Sequence, residues 1–320
     1  MANDTLAGKL EAIVGARFVL RPDSDLLVYN SDGLPGYRRM PSIGVFPGSR
    51  RETIEVVRAL AADGVPFVPR GAGTGLSGGA LADDVVLLGL HRLKQLISID
   101  ADNLRAVVEP GVVNLRLNRA LAPLGLLYAP DPSSEAACTI GGNIAENAGG
   151  PHCLKYGVTL NHVIAITAVL PDGEIVTLGH PEGEAPGYDL RGAFIGSEGC
   201  FGVALDATVR LTRKPVAIRT MLADFTSVDD AAKVTSAIIA SGIVPAALEF
   251  MDAPTIQVVE SSVYAAGYPA DAAAVLLIEI DGLTEGVDAD RDTMRESCLS
   301  GGARTVKVAG YEAERTRVWQ

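Results

Sequence analysis

Apolar residues in the first two thirds of the chain recur with helical and strand spacing in alternation. Ile54, Val57 and Leu60 lie on one face of a helix predicted at 52–63, and Gly64 follows as a typical helix end. The strand–helix–strand order around this helix predicts a small α/β unit. Two further helices are predicted at 6–18 and 114–124, the second with Asn114 as its N-cap, and residues 22–41 are predicted to form a loop. Short apolar runs predict strands at 42–46, 65–68, 85–90, 95–99, 104–109, 162–170, 174–178 and 201–211.

The pattern changes near Lys214-Pro215, after which strands and helices alternate regularly. This alternation predicts an antiparallel sheet with helices on one face. We therefore expect three parts: an N-terminal helix and loop at 1–37, a first domain at 38–214, and the start of a second domain at 215–320 that is incomplete. The elements predicted in the last part are strands at 216–224, 245–251, 274–280 and 305–309, and helices at 228–241, 253–266 and 286–299.

Composition indicates a globular chain, with 48% hydrophobic and 21% charged residues, and 320 residues are too many for one ordinary core. The net charge of -12 argues against nucleic acid or an anionic membrane surface as a partner, because both require basic patches. The N-terminus has no signal-peptide pattern, and no apolar run approaches the roughly 18 residues of a membrane-spanning helix. We expect a cytoplasmic protein without direct membrane insertion.

Cysteine and histidine positions give no sign of a metal site. The four cysteines are scattered without a C-x-x-C pair, which is typical of free thiols. The four histidines, His91, His152, His162 and His180, show no metal-ligand spacing, so we predict no metal bound by this chain alone.

A first glycine-rich segment follows the predicted strand 65–68. Residues 71–79 contain five glycines, and successive backbone N–H groups of such a loop can converge on anionic oxygens such as phosphate. Thr74 and Ser77 add hydroxyl donors and Arg70 adds charge; a flexible surface loop is the alternative. A P-loop is excluded because no lysine follows the glycines. A dinucleotide-binding Rossmann turn is disfavoured because the six residues 79–84 are too few for its helix.

A second segment of small and amide residues runs from 130 to 160 and is predicted to be a long functional loop. Pro130-Asp131-Pro132-Ser133-Ser134 leads into T-I-G-G-N-x-A-x-N-A-G-G, which begins at Thr139. Small residues let a flat ligand lie against the backbone, and neutral hydrogen-bonding groups suit a large heterocycle with a pyrophosphate.

The two segments together resemble the FAD-binding domain of the vanillyl-alcohol oxidase and p-cresol methylhydroxylase superfamily. The resemblance rests on three motifs: P-R-G-x-G-T-G-x-S-G-G from Pro69, the second motif from Thr139, and G-S-E-G before Phe201-Gly202-Val203. Within the superfamily the chain is most similar to the glycolate oxidase and FAD-linked D-lactate dehydrogenase branch. The resemblance implies an α+β fold: a two-subdomain FAD-binding fold of the p-cresol methylhydroxylase type, then part of an antiparallel-sheet substrate domain.

The resemblance implies specific contacts with FAD. The first loop would wrap the pyrophosphate, the second would line the isoalloxazine and ribityl chain, and the third motif would reach the adenosine end. The residues so implied are Arg70, Gly71, Ala72, Gly73, Thr74, Gly75, Leu76, Ser77, Gly78, Gly79, Pro130, Asp131, Ser133, Ser134, Thr139, Gly141, Gly142, Asn143, Ala145, Asn147, Gly149, Gly150, Glu198, Gly199, Gly202 and Val203.

The resemblance also implies that FAD is bound non-covalently. Some relatives attach the flavin through a histidine in the first loop, and here those positions are Gly73 and Thr74. Cys153 in the second loop is the remaining candidate for a flavin bond. Cys200 replaces a threonine of relatives, and we expect it to be a small buried residue in a strand.

The implied activity is oxidation of a small 2-hydroxy acid, glycolate or D-lactate, to the 2-oxo acid by hydride transfer to flavin N5. The implied partners are other subunits of a glycolate oxidase complex, through which a membrane-peripheral position stays open. Relatives draw an arginine from a W-x-x-R segment, which would begin here at Trp319, and metal ligands from farther on, so the catalytic residues are unassigned. His152 and Tyr156 are local candidates near the flavin; an ordinary loop histidine and a packing tyrosine are the alternatives.

Three other functions fit the same motifs. One is a non-catalytic FAD-binding electron-transfer module of a multi-subunit oxidoreductase. A second is the same fold acting on another alcohol or amine. The third is an α/β protein whose loops bind no flavin.

Overall fold

The computed structural model describes residues 2–21, 24–180, 182 and 186–319. Its contacts divide the chain into two compact units. Unit 1 comprises Met1–Gly150 and Val158–Arg213, and unit 2 comprises Pro151–Gly157 and Lys214–Gln320. No helix within the described ranges is long and apolar enough to cross a membrane.

Unit 1 begins with a four-stranded sheet flanked by two helices. The order of its strands is β1-β2-β4-β3, with β2 and β3 both parallel to β4. Helix α2 starts where the Ser49 side chain accepts a hydrogen bond from the Glu52 N–H at 3.2 Å, and its buried face includes Ile54, Val57 and Leu60. The elements are α1 Ala2–Val14, β1 Val19–Leu20, β2 Ile43–Val45, α2 Arg50–Ala62, β3 Phe67–Arg70 and β4 Val86–Gly89.

A five-stranded antiparallel sheet forms the rest of unit 1, in the order β5-β6-β10-β8-β9. A two-stranded pair, β11 with β7, lies beside it. The elements are β5 Leu96–Asp100, β6 Arg105–Val108, α3 Asn114–Leu121, β7 Leu126–Leu127, α4 Ile140–Glu146, α5 Cys153–Tyr156, α6 Thr159–His162, β8 Val163–Val169, β9 Ile175–Gly179, α7 Leu190–Phe194, β10 Val203–Arg210 and β11 Thr212–Arg213, with 3-10 helices at Ala16–Phe18, Ser24–Tyr29 and Ala122–Leu124. Of these elements, α5 belongs to unit 2.

The first glycine-rich segment connects β3 to β4, which are parallel neighbours, and residues 71–85 contain no helix. A Rossmann turn would place a helix directly after its glycines. Residues 71–85 therefore lack the helix that such a turn requires, in agreement with the argument that disfavoured a Rossmann site.

Three predictions in unit 1 were wrong in detail. The stretch 130–160 is not one continuous loop, because it contains α4, α5 and the start of α6. Helix α3 is capped by Val113 rather than Asn114; Asn114 is its first residue, and its amide donates to the Pro130 carbonyl at 2.8 Å. The stretch 22–41 includes the 3-10 helix Ser24–Tyr29, while residues 22 and 23 lie outside the described residues.

Unit 2 is built on a four-stranded antiparallel sheet in the order β13-β14-β12-β15. Helices α8 and α10 pack on one face and bury residues such as Val234 and Met294 against Leu276 and Ile278. Residues of α9 and α11 pack with Leu277 on the opposite face, so the prediction that the helices share one face was wrong. The elements are β12 Ala217–Phe225, α8 Val228–Ala240, β13 Ala247–Asp252, α9 Ala253–Glu260, β14 Ala274–Gly282, α10 Thr284–Ser300, β15 Ala303–Val308 and α11 Glu312–Val318.

Candidate functional site

A cleft in unit 1 lies between the first glycine-rich segment and helix α4. The cleft has a volume of about 770 Å³, part of it open to solvent. A second space of about 490 Å³ shares the lining residues Gly71 and Thr139 with it. Both spaces are lined by backbone of the β3–β4 connection and by small side chains of α4. The two glycine-rich segments, far apart in the sequence, therefore form the walls of one cleft.

Glycine is required at positions where residues of the cleft walls lie in close contact with a neighbouring residue. A Cβ atom on Gly71 would overlap the Thr139 hydroxyl, and one on Gly141 would lie 2.7 Å from Pro110 Cβ. Gly73 has φ of +71°, and a Cβ there would overlap the Arg70 guanidinium. Side chains at these positions would push the two walls apart or block the cleft.

Arg70 supports the first glycine-rich loop through hydrogen bonds to backbone carbonyls. Its guanidinium donates to the carbonyls of Ser31 at 2.8 Å and Ala80 at 3.0 Å, with a longer contact to the Tyr29 carbonyl. The residue is 6% exposed although it borders the cleft, and burial lowers the pKa of Arg70. Its charge is thus engaged by backbone carbonyls, whereas the sequence had suggested a direct contribution to anion binding.

Asp32 holds the same loop from the N-terminal segment. Its carboxylate accepts from the Gly78 N–H at 3.0 Å and from the Leu34 N–H at 2.8 Å. The Gly33 N–H donates to the Gly75 carbonyl at 2.9 Å. Residues 29–33 thus support the glycine loop, a role that sequence reasoning missed because the contact spans more than forty residues.

Helix α4 brings one unsatisfied donor to the cleft. Thr139 caps the helix by accepting from the Gly142 N–H at 3.3 Å. Asn143 is 2% exposed and lines the cleft, and its Nδ2 has no hydrogen-bond partner among the described residues. A buried donor without a partner costs free energy, and an acceptor on a ligand would satisfy it.

Two carboxylates face the first loop from the α4 side. Glu146 lies 3.4 Å from the position of a Cβ on Gly75, and Glu198 occupies the space where a Cβ on Gly79 would be. Glu198 has φ of +52°, an uncommon conformation for a non-glycine residue that often marks a functional site. Burial, with the charges of Glu198 and Asp32, raises the pKa of Glu146.

Seventeen of the residues that the resemblance implied line the two spaces. They are Arg70, Gly71, Ala72, Gly73, Thr74, Gly75, Gly79, Ser134, Thr139, Gly141, Gly142, Asn143, Ala145, Glu198, Gly199, Gly202 and Val203. The other nine do not line either space: Leu76, Ser77, Gly78, Pro130, Asp131, Ser133, Asn147, Gly149 and Gly150.

Several of those nine hold the walls in place instead. Asn147 has φ of +48° and its Oδ1 accepts from the Leu160 N–H at 2.9 Å. Gly150 packs so tightly on the Asp131 backbone that a Cβ would overlap it. Pro130 accepts from the Asn114 amide. Their positions therefore support the second loop rather than border the open space.

The lining also includes residues that sequence reasoning did not select, notably Cys138, Glu146 and Ser197. Glu146 and Ser197 lie inside the quoted motifs, so motif membership was the signal that could have found them. Cys200 is exposed in a turn rather than buried in a strand, because β10 begins only at Val203. The expectation of a buried Cys200 was wrong.

Unit 2 has its own polar cluster, on the sheet face opposite α8 and α10. Glu279 accepts from Thr220 Oγ1 at 2.6 Å, from Trp319 Nε1 at 2.8 Å and from His152 Nε2 at 3.1 Å. Because an ionised carboxylate only accepts, His152 carries its proton on Nε2 in this pair. Desolvation opposes the charge, but these hydrogen bonds outweigh it and lower the pKa of Glu279.

Two strand positions along, the Asp281 carboxylate pairs with Lys155 Nζ and accepts from the Tyr156 hydroxyl, both at short range. Lys155 Nζ also donates to the Asp281 carbonyl at 2.6 Å. In the part of the chain that the structure describes, no group of three His, Cys, Asp or Glu side chains is placed to hold a metal ion.

Comparison with protein families identifies both units. The profile of the FAD binding domain family matches residues 41–179, and that of the C-terminal domain of FAD linked oxidases matches residues 214–320. The chain therefore contains an FAD binding domain and the C-terminal domain of FAD linked oxidases. FAD is its cofactor, as the two glycine-rich motifs predicted.

Curated relatives and solved structures agree with this assignment. The chain is 45% identical over 302 residues to glycolate oxidase subunit GlcD of Escherichia coli (strain K12), and the match covers 94% of the chain and 60% of the relative. It is 32% identical over 287 residues to a D-lactate dehydrogenase of Anaerostipes hadrus, covering 87% of the chain and 60% of the relative. The chain thus spans about 60% of the length of these relatives.

A crystal structure of p-cresol methylhydroxylase with substrate bound superposes with a TM-score of 0.81 at 17% identity, covering 98% of this chain and 68% of that one. At this identity the likeness shows the fold alone. The predicted α+β fold class is confirmed.

Proposed function

We propose that the chain is the FAD-binding part of an enzyme that oxidises a small 2-hydroxy acid, glycolate or D-lactate, to the 2-oxo acid. The observation that carries this proposal is the cleft, whose two glycine-rich walls leave backbone and one buried donor open to a ligand. The likeness to GlcD and to a D-lactate dehydrogenase across both units supports the substrate class.

The residues of the cleft fit FAD. Residues 71–75 line the open space and three of them are glycines, so backbone N–H groups can approach the two phosphates of the cofactor. Asn143 Nδ2 offers a donor to a carbonyl or ring nitrogen, and Glu146 offers acceptor oxygens to hydroxyl groups of the ribose or ribityl chain. Arg70 and Asp32 keep the first loop in the shape that exposes its N–H groups.

Bound FAD supplies the acceptor for the hydride that leaves the hydroxylated carbon. The chain binds and orients the cofactor between the two walls, and its small residues let the flat ring lie close to the backbone. No histidine or cysteine replaces Gly73 or Thr74, so binding is non-covalent in this proposal. The partners would be the substrate and further subunits, since the similar GlcD protein is named as a subunit.

The first test is the visible absorbance of the purified chain before and after acid precipitation. We expect a flavin spectrum that stays with the folded protein and moves into the acid supernatant. Flavin left in the pellet would overturn non-covalent binding, and Cys153 would be the first residue to replace. No flavin, with no uptake of added FAD, would contradict the proposed function of the cleft.

The second test addresses the substrate. The protein tested spans the full length of the GlcD-like relatives, of which this chain covers 60%. In that protein, glycolate or D-lactate should bleach the flavin absorbance under anaerobic conditions, whereas L-lactate and an alditol should not. Bleaching by the alditol alone would favour the same fold acting on another alcohol. A chain that binds FAD but is bleached by none of these, while dithionite still reduces it, would favour the electron-transfer module.

A further inference from the structure

Residues 151–157 are assigned to unit 2, although the residues on both sides of them in the sequence belong to unit 1. Within unit 2 the segment is bound by the polar cluster on β14, through His152 to Glu279 and through Lys155 and Tyr156 to Asp281. The two carboxylate side chains are only 7% and 5% exposed. Buried carboxylates are stable only with such donors, so the segment and the sheet depend on each other.

Both ends of the same segment are fixed within unit 1. At its start, Gly150 packs on the backbone of Asp131. Just after its end, Thr159 donates from its N–H and its hydroxyl to the Ala148 carbonyl at 3.0 and 2.7 Å. The Leu160 N–H donates to Asn147 Oδ1. The strip Asn147–Gly150 at the end of the second glycine-rich loop is therefore held by the residues that flank 151–157.

The cluster is poorly suited to bind the substrate itself. Glu279 and Asp281 contribute two negative charges, and Lys155 contributes one positive charge, while His152 hydrogen-bonds through a neutral-ring N–H or as a cation. With a neutral His152, a 2-hydroxy acid anion would meet net negative charge. Every donor described above is already directed at a carboxylate, so the cluster is arranged for holding the chain.

We propose that Glu279 and Asp281 are positioning residues of the FAD site: by holding residues 151–157 they fix the Asn147–Gly150 end of the second loop. This inference rests on the proposed function of that loop in binding FAD. The β14 carboxylates first hold His152, Lys155 and Tyr156. The chain then connects this segment to Gly150 at one end and to Val158 at the other. The residues at those two ends contact Asp131, Ala148 and Asn147.

The test is a double-mutant cycle read out as FAD affinity. Apo-protein of the wild type, Lys155→Met, Asp281→Asn and the double variant is titrated with FAD and followed by flavin fluorescence. Each single variant should bind FAD roughly 2- to 30-fold more weakly, the range for changes that act through an intermediate contact. The double variant should bind more tightly than Lys155→Met alone, because it leaves no unpaired buried charge.

Asp288→Asn is the matched control, since it removes the carboxylate partner of Arg219 on the face of unit 2 that α8 and α10 cover. It should leave FAD affinity within about twofold. If the control weakens FAD binding as much as Asp281→Asn does, general destabilisation explains the effect and the positioning role is wrong. If Lys155→Met fails to fold, the half-buried His152→Gln variant takes its place in a cycle with Glu279→Gln.

Two further outcomes separate this inference from the proposed function. Wild-type chain that binds FAD, with unchanged affinity in both single variants, would overturn only the positioning role. Wild-type chain that takes up no FAD would overturn the function of the cleft, and the positioning role with it.

Discussion

Unit 1 and unit 2 each hold a group of carboxylates, and the two groups have opposite surroundings. In the cleft of unit 1, Glu146 lies near Asp32 and Glu198, and no hydrogen bond from a described residue reaches the Glu146 carboxylate. In unit 2, Glu279 has three side-chain donors and Asp281 has two. The pKa of Glu146 is raised, and the pKa of Glu279 is lowered.

The contrast distinguishes a surface that is ready for a ligand from one that is already satisfied by its own chain. Desolvation raises the pKa of both glutamates, so the difference comes from the hydrogen-bond donors around Glu279 and from the like charges beside Glu146. Where donors are in place, the carboxylate stabilises the folded unit. Where they are missing, the carboxylate costs stability in the apo-protein and becomes favourable only with a partner that supplies hydroxyl groups.

The largest expected effect is on unit 2. Glu279→Gln removes the charge that three donors share, and we expect a loss of about 2–3 kcal/mol in the free energy of unfolding at pH 7. Trp319 is the only tryptophan, so its emission during urea unfolding reports directly on this cluster. The exposed Glu296→Gln should change stability by less than about 0.5 kcal/mol.

The pH dependence of the same variant follows from linkage. Because the folded-state pKa of Glu279 is lowered, its stabilisation is present above the unfolded pKa, about 4.3, and is lost as the pH falls through the folded value. The difference between wild type and Glu279→Gln should therefore shrink in acid. A difference that is constant from pH 7 to pH 3 would contradict the assignment of an ionised Glu279.

The next effect is on the cleft. Gly71→Ala places a methyl group against the Thr139 hydroxyl, and we expect FAD to bind about 5- to 30-fold more weakly, corresponding to about 1–2 kcal/mol of overpacking. Gly36→Ala is the matched control, because no atom lies within 4 Å of its Cβ position. Equal FAD affinity in the two variants, measured by titration of apo-protein, would show that the cofactor does not need close contact between the walls.

A smaller effect is expected at the unsatisfied donor. Asn143→Leu removes Nδ2 and keeps the branched shape of the side chain, and we expect FAD to bind about 2- to 12-fold more weakly, as for the loss of one hydrogen bond. The melting temperature of the apo-protein should change little or rise, because a buried donor without a partner is removed. A large drop in that temperature would show that Asn143 supports the fold rather than the ligand.

The smallest effect sharpens the contrast between the units. Glu146→Gln should stabilise the apo-protein at pH 8 by less than about 1 kcal/mol, since solvent screens a partly exposed charge. The sign is opposite to that of Glu279→Gln: a raised folded pKa makes the group destabilising above its unfolded value, and the effect disappears below about pH 4. Hydrogen exchange of β3 and β4 amides is the measurement, with exposed Glu174→Gln as control; destabilisation by Glu146→Gln would reject this account.

Much of the fold could be predicted because apolar periodicity and burial coincide. In β14, eight of nine residues are buried, and the apolar run 274–280 already marked the strand. Short helices were missed for the opposite reason: α5 has four residues, which is too few to show a helical period. Its place depends on Asp281, more than a hundred residues away, and no local pattern carries that information.

The site divides in the same way. The glycine-rich walls were predicted, because glycine is demanded locally where two backbones approach closely, as at Gly71 and Gly141. Asp32 and the carbonyl partners of Arg70 were missed, because hydrogen bonds between distant segments leave no mark on spacing. Motifs therefore located the cleft, but only the fold showed what holds its walls.

The excursion of residues 151–157 also bears on how modular this protein is. The chain crosses from one unit to the other after Gly150, after Gly157 and after Arg213, so neither unit is one continuous stretch of the sequence. A fragment cut after Arg213 would keep Lys155 but lose Asp281. The reciprocal fragment would keep Asp281 without Lys155 and Tyr156, and Glu279 without His152. Gene fusions, domain exchange and split-protein designs would have to move the excursion together with β14.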